Sequence, residues 1–172
     1  MKNTIGCFGL LPLAACLSSA PPAPPVRFFD CRPAVVTAVS ASVVRVEAPA
    51  YLGSEIAVRI ATRELTFDGD HRWLEEPAQV LNAALRATGA AGGQEQLLVR
   101  IDRFEFDLTG PPLARVRLVL QTTCSPMSTP TPTPTVVEVT WSAADRSPAA
   151  LAAAMAEAVA RAAARVAEAL AG

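Results

Sequence analysis

Four cysteines and a single histidine are the residues of this chain with the most versatile chemistry. Cys16 stands directly after an apolar stretch, residues 5–15, and two small residues, Ala14 and Ala15, precede it. Cysteine supplies a nucleophilic sulfur, and small neighbours leave room for an enzyme to reach it. The thiol of Cys16 is therefore a candidate for covalent modification.

The residues before Cys16 have the order of a targeting signal. Lys2 supplies a positive start, and the apolar stretch is shorter than the roughly 20 residues that span a bilayer. This order is typical of a secretory signal peptide. Leu13-Ala14-Ala15-Cys16 also resembles the lipobox of bacterial lipoproteins, which implies cleavage before Cys16 and attachment of a diacylglycerol to its thiol. The alternative is an ordinary signal peptide in which Cys16 is incidental.

A lipid on Cys16 would hold the protein on a membrane without crossing it. Two or more acyl chains give stable anchoring, and charges such as Glu157 and Arg161 interrupt the Ala-rich C-terminal stretch. In lipoproteins of this kind, an Asp after the lipidated cysteine commonly signals retention at the inner membrane. Leu17 stands there instead. We therefore expect the outer membrane, with the protein facing the periplasm.

Length and composition predict one folded domain behind this signal. We divide the chain into a signal peptide (residues 1–15), a lipidated cysteine with a Pro-rich tether (16–25) and a domain (26–172). With 51% hydrophobic and 18% charged residues, the chain is not a disordered one. The net charge of −1 leaves no basic excess for phosphates, so we expect no nucleic-acid partner.

Two cysteines remain for pairing once the signal is removed and Cys16 carries the lipid. Cys7 would leave with the signal peptide, and Cys16 would carry the lipid. Cys31 and Cys124 then form an even pair in an oxidising compartment, which predicts a disulfide between them. The alternative is two free thiols that do not meet.

His71 follows two acidic residues, Asp68 and Asp70. A metal site or a catalytic base is conceivable there, but a polar turn before a helix is the interpretation we favour. Metal sites take more ligands than this loop offers. The sequence has no Gly-x-Ser-x-Gly nucleophile elbow, and the glycine-rich residues 89–93 lack the lysine of a phosphate loop. We expect no catalytic residue, no metal, no cofactor and no enzyme activity.

Alternating apolar residues predict that strands dominate the domain. The predicted strands are residues 26–31, 41–47, 55–61, 63–67, 96–108, 113–123 and 136–141. The strands on either side of Gly110 are expected to form a hairpin, with a bulge or a bend near Arg103, where the alternation slips. Asp68-Gly69-Asp70 predicts a turn, and the repeated Thr-Pro of residues 125–135 predicts a loop.

Two helices complete the predicted domain. The first covers residues 75–88, with Pro77 in its first turn and Gly89 as its C-cap. The second begins at Ser147-Pro148. Its apolar stripe consists of Leu151, Met155, Val159, Ala162, Val166 and Leu170. We expect it to pack in the core, and its Ala-rich flanks would also allow it to pack on another copy in a homo-oligomer. The predicted class is α+β, a mostly antiparallel sheet of about five to seven strands with two main helices on one side.

Several segments, in their order, resemble the ABC-type transport auxiliary lipoprotein family, which includes the PqiC-like lipoproteins. They are residues 49–59 with the Tyr51-Leu52 pair, 63–65, 71–77 with Arg72-Trp73 and Pro77, and 99–105. The lipobox and the Ala-rich terminal helix also fit. The resemblance covers nearly all of the mature chain. It departs from the family pattern by one extra residue between Trp73 and Pro77.

The resemblance implies an accessory lipoprotein that works with a mammalian-cell-entry (MCE) domain protein of an ABC-type system. Such systems are thought to move lipids or other hydrophobic molecules between membranes. Tyr51, Leu52 and Arg72 are candidates for contact with that partner, although Tyr51-Leu52 could equally form a buried turn. Trp73 is expected to anchor the core. The alternative function is an outer-membrane assembly or cell-wall-synthase-activating lipoprotein.

Overall fold

A mixed β-sheet with helices on one face forms the domain in the computed structural model. The structure describes residues 25–39, 41, 43–87, 96–123 and 134–171. The strands are β1 (Arg27–Phe29), β2 (Thr37–Val39), β3 (Val43–Glu47), β4 (Glu55–Ala61), β5 (Glu64–Trp73), β6 (Leu85–Ala87), β7 (Gln96–Asp107), β8 (Leu113–Thr123) and β9 (Thr135–Ser142). The helices are α1 (Pro77–Ala84) and α2 (Pro148–Ala171). These elements confirm the predicted α+β class.

β7 is the central strand of the sheet, whose order is β1-β5-β4-β7-β8-β9 with β3 also beside β7. β8 pairs with β7 antiparallel along its whole length, and β9 continues this meander. The other edge of β7 has two parallel partners, β3 along residues 96–100 and β4 at residues 106–107. A register shift between Ile101 and Arg103 confirms the predicted bulge.

The side chains of β7 and β8 alternate between two faces of the sheet. The inner face carries a buried apolar set: Leu97, Val99, Ile101, Phe104, Phe106, Ala114, Val116, Leu118 and Leu120. α2 packs over β8 and β9 on this side. Of the predicted stripe on α2, the five residues from Leu151 to Val166 are buried and Leu170 is partly buried. Removing this area from water is the main favourable contribution to folding.

α2 begins where its sequence predicts. The Ser147 Oγ accepts the N–H of Ala150 at 3.3 Å, which satisfies one of the free donors of the first turn. Pro148 takes the first helical position, where its missing N–H costs nothing. Further along, Arg161 Nε lies 2.9 Å from Glu157 Oε1, as their spacing predicts.

α1 is shorter than predicted, because the chain changes conformation after Ala84. The prediction of helix over residues 75–88 is wrong at Glu75 and Glu76, which precede the helix, and over Leu85–Ala87, where the chain is a strand. Leu85 is buried and begins β6, which pairs parallel with β2 to form a separate small sheet. A tertiary pairing of this kind overrides local helix propensity. The predicted C-cap at Gly89 lies outside the described residues.

Several further predictions fall on parts that the structure does not describe. They are the signal peptide, the tether as far as residue 24, Cys16, Cys124 and most of the Thr-Pro loop. The first strand is confirmed but shorter, at Arg27–Phe29. Within the described ranges, neither helix combines the length and apolar character needed to cross a membrane.

Candidate functional site

A bulge in β5 brings the chain's single histidine to the sheet. Ala57 of β4 pairs with Phe67 and Glu55 pairs with Arg72, so residues 68–71 of β5 lie opposite Ile56 alone. β5 then continues to Trp73 and pairs with β1. The predicted turn at Asp68-Gly69-Asp70 is therefore wrong as a chain reversal. The same turn-forming residues instead form the bulge.

Hydrogen bonds to the Asp68 carboxylate hold the bulge in shape. One carboxylate oxygen accepts the N–H of Asp70 at 2.9 Å and the N–H of His71 at 3.2 Å. The other oxygen lies 2.8 Å from Nδ1 of His71. Burial acts to raise the pKa of Asp68, but these hydrogen bonds and the His71 charge together lower it. Asp68 is thus an ionised acceptor whose bonds are all local.

Arg72 spans the bulge from the opposite side. Its Nη1 donates to the carbonyl oxygens of Asp68 at 2.7 Å and His71 at 3.1 Å. Its Nη2 lies 3.3 Å from Oε1 of Glu55 on β4. Arg72, predicted as a partner contact, is partly buried and engaged within the chain. Its partner role stays a prediction.

An apolar pocket of about 270 Å³ lies beside the bulge on the inner face. α2 covers β8 and β9, and the inner face of β4 and β5 extends beyond it. The pocket lies between this uncovered part of the sheet and the first turns of α2. Its apolar lining includes Ile56, Val58, Trp73, Phe106, Leu108 and Leu151. Thr66, Asp68, His71 and Arg146 are the polar residues that line it.

Trp73 anchors this region, as predicted. Its ring packs edge-on against Phe104, with centroids 5.7 Å apart, and is tilted against Phe106 at 5.6 Å. The residue is almost wholly buried. Its indole N–H nevertheless has no acceptor among the described residues. Buried donors are rarely left in this state.

Tyr51 and Leu52 have opposite environments. Leu52 is buried in the core, whereas Tyr51 is 47% exposed. The hydroxyl of Tyr51 donates to the carbonyl oxygen of Asp102 at 3.3 Å. This carbonyl lies where β7 has passed the end of β3 and has not yet met β4. Leu52 is therefore buried, as in the alternative of a buried turn, and Tyr51 is exposed; contact of either residue with a partner stays a prediction.

Two buried acidic residues on the outer face were not predicted as a site. Glu105 is 4% exposed and Asp107 is 3% exposed. Arg59 donates to both oxygens of Glu105, at 2.7 and 2.8 Å. Arg115 lies 2.7 Å from Asp107. Burial acts to raise the pKa of Asp107, but hydrogen bonds from Thr109 and the charges of Arg115 and Arg59 hold it below its usual value.

Of the cysteines for which a role is predicted, the structure describes Cys31 alone. Cys31 is buried in the core cluster, and burial, followed by the charge of Asp30, raises its pKa to about 12. Such a thiol is protonated and poorly reactive at neutral pH. Cys16 and Cys124 lie outside the described residues. Lipidation and the disulfide therefore stay predictions.

The chemistry available at the bulge is that of an acid–base pair facing an apolar pocket. Asp68 fixes the orientation of the His71 ring through Nδ1 and leaves Nε2 free of that contact. Metal-capable groups of three or more His, Cys, Asp or Glu side chains do not occur within the described ranges. The pocket is better suited to holding an apolar group than to polar recognition, because most of its lining is aliphatic or aromatic.

Solved structures share this fold. A crystal structure of a protein from Xanthomonas campestris matches with a TM-score of 0.65 and 20% identity, over 86% of this chain and 92% of that one. A crystal structure of an uncharacterized protein matches with a TM-score of 0.61 and 12% identity, over 84% of this chain and 97% of that one. At these identities, the likeness establishes the architecture. A search of curated proteins finds no match.

A family model describes most of the chain directly. The model of the ABC-type transport auxiliary lipoprotein component matches residues 31–167. That span runs from Cys31, just after β1, into the last turns of α2, and so includes the bulge, the pocket and both helices. The resemblance found in the sequence is confirmed: the chain belongs to the ABC-type transport auxiliary lipoprotein family.

Proposed function

We propose that this protein is a non-catalytic accessory component of an ABC/MCE-type system that moves lipids or other hydrophobic molecules between membranes. It is anchored through a lipid on Cys16 in the outer membrane and faces the periplasm. The family match over residues 31–167 is the observation that carries the proposal. An auxiliary component works by binding other subunits, and the ATPase is then another protein.

The exposed apolar residues support a binding role. Phe28, Tyr51, Phe67 and Leu74 are large side chains left exposed on or near β1, β4 and β5. Tyr is among the residues enriched at the energetic centres of protein interfaces. Its hydroxyl already has an acceptor within the chain, so the exposed part of the ring is free to pack. We place the contact with the MCE-domain protein at Tyr51.

The experiment is a pull-down of the full lipoprotein from gently solubilised envelopes, followed by mass spectrometry of bait and companions. We expect an MCE-domain protein among the companions and a diacylglycerol on the N-terminal Cys16 peptide. The Tyr51→Ala variant should recover at least about tenfold less of that partner, as for a central aromatic contact. Val136→Ala is the matched control, because Val136 is 49% exposed and lies on the distant strand β9.

Three results would contradict the proposal. Cell-wall synthases or outer-membrane assembly proteins in place of the MCE-domain protein would favour the alternative function. An N-terminal Cys16 peptide without lipid would contradict the proposed membrane anchor. Hydrolysis of esters or peptides by the purified protein, lost in His71→Ala, would contradict the non-catalytic assignment.

A further inference from the structure

The pocket beside α2 lies apart from Tyr51 and has no role in the proposed docking. Its walls come from the inner face of β4, β5 and β7 and from the start of α2. Ile56, Val58 and Phe106 provide an apolar surface there. An apolar chain that enters this space leaves water, which is favourable in proportion to the area buried.

Asp68 and Arg146, which both line the pocket, differ in the groups that their charged side chains contact. The Asp68 carboxylate is occupied by the N–H groups of Asp70 and His71 and by the His71 ring. Arg146 instead donates to neutral groups, the carbonyl oxygens of Leu108 at 3.3 Å and Gly110 at 3.0 Å. No carboxylate lies within salt-bridge distance of Arg146 in the described part of the chain. The charge at the pocket without an ionic partner in the described residues is therefore positive, on the exposed side chain of Arg146.

A further feature of the pocket favours acceptor atoms on a ligand. Pro148, at the first position of α2, lines the pocket, and the start of a helix carries a partial positive charge. The indole N–H of Trp73, a residue that also lines the pocket, is itself out of reach of solvent and therefore does not select the ligand's head group. A ligand with anionic oxygens complements Arg146 and this positive end of α2.

We infer that this pocket binds a single-chain carboxylate amphiphile, with the apolar chain on Ile56, Val58 and Phe106 and the carboxylate at Arg146. Arginine matches a carboxylate with two parallel hydrogen bonds. The volume of about 270 Å³ is just below the range of roughly 300–1,000 Å³ typical of small-molecule pockets. One chain fits this space better than the paired chains of a phospholipid.

Photolabelling tests the inference on the full lipoprotein in phosphatidylcholine nanodiscs. The probe is decanoate carrying a diazirine near its chain end, and mass spectrometry locates the labelled peptides. We expect label on β4, β5 and the first turns of α2. Unlabelled decanoate should compete, whereas decanol and decyltrimethylammonium, with a neutral and a cationic head, should compete poorly.

Substitutions separate the two parts of the site. Arg146→Gln should weaken decanoate binding about tenfold, as for loss of one charged hydrogen-bonded contact. Arg63→Gln is the matched control, because Arg63 is exposed in the β4–β5 turn and does not line the pocket. Val58→Phe places a larger side chain in the pocket and should abolish the labelling. Circular dichroism identifies any variant that fails to fold.

Other outcomes would overturn the inference. Label spread evenly over exposed apolar residues would show partition without a site. Equal decanoate binding by Arg146→Gln and Arg63→Gln would show that the carboxylate does not contact Arg146. Competition by short-chain phosphatidylglycerol, with none by decanoate, would assign the pocket to a phospholipid headgroup. Recovery of the MCE-domain protein is measured separately, so failure here leaves the proposed function standing.

Discussion

The two faces of the central sheet bury their side chains by different means. On the inner face, Phe104 and Phe106 of β7 are buried by other apolar side chains. On the outer face, Glu105 and Asp107 of the same strand are almost as deeply buried, but each faces an arginine. The first arrangement gains from leaving water, whereas the second must offset the cost of removing charges from water. The comparison shows that burial alone does not measure stability.

The largest loss of stability is expected on the inner face, at Phe104. The side chain is 1% exposed and packs edge-on against Trp73. Phe104→Ala should lower the free energy of unfolding by about 3–5 kcal/mol, because it removes apolar contacts and leaves a cavity. Equilibrium denaturation followed by tryptophan fluorescence measures the loss. Phe28→Ala, at a residue 62% exposed, should change stability by less than about 0.5 kcal/mol. Equal losses in the two variants would contradict the inner-face account.

The second prediction removes the charge of Glu105. Glu105→Gln leaves the Arg59 guanidinium without its carboxylate and should cost about 1–3 kcal/mol. Glu55→Gln is the control, because the Glu55 side chain is half-exposed beside Arg72 and its loss should cost less than about 1 kcal/mol.

A double substitution sharpens this comparison. Arg59→Met with Glu105→Leu replaces both charges by apolar groups and should recover most of the stability lost in Glu105→Gln. A double variant less stable than Glu105→Gln would show that the outer face needs the ion pair itself.

The third prediction concerns the stability that Asp107 contributes and its loss at low pH. The pKa of Asp107 is lower in the folded protein than its ordinary value of 3.8, so folding favours the ionised carboxylate. The resulting stability is present above about pH 4 and is lost as the pH falls through the lowered pKa. Asp107→Asn should cost about 1 kcal/mol at neutral pH, and its stability curve should approach the wild-type curve in acid. Denaturation across this pH range measures the difference in free energy of unfolding between the two proteins. A difference that stays constant with pH would contradict the prediction.

The smallest effect is expected at an exposed ion pair on α2. Glu157 and Arg161 are spaced by one turn and are both about half-exposed, and the Arg161 guanidinium also lies 3.8 Å from the centroid of the Trp141 ring. Glu157→Gln should cost about 0.2–0.5 kcal/mol, and the loss should shrink in high salt. Thermal melts in low and high salt measure it. A loss as large as that of Glu105→Gln would remove the distinction between exposed and buried pairs.

The elements that local patterns specify were predictable. The β7–β8 hairpin, its bulge near Arg103 and the start of α2 at Ser147 all follow from alternation or capping over a few neighbouring residues. The burial of Trp73 was also predicted, as the ordinary place of a large aromatic side chain. These features need no knowledge of distant partners.

The features that depend on distant pairings were not predictable from one sequence. Helix propensity continues past Leu85, but pairing with β2 ends the helix there. The partners Arg59 and Glu105 meet because β4 lies parallel beside the end of β7, and alternation does not specify strand order. The Asp68 bulge had a local signal, a turn sequence. That signal does not distinguish a reversal from a bulge until β1 supplies a second partner for β5.

The position of β7 between near and distant partners has a consequence for folding. β8 and β9 follow it directly, so the meander can form by closing short loops, whereas β3 and β4 must return from far along the chain. We therefore expect the meander to form early and the parallel strands to join late. Destabilising substitutions in β8 should slow refolding, and those in β3 should mainly accelerate unfolding. Until β3 and β4 arrive, one edge of β7 is open, and this transient edge is where misassembly of a newly made chain is expected to begin.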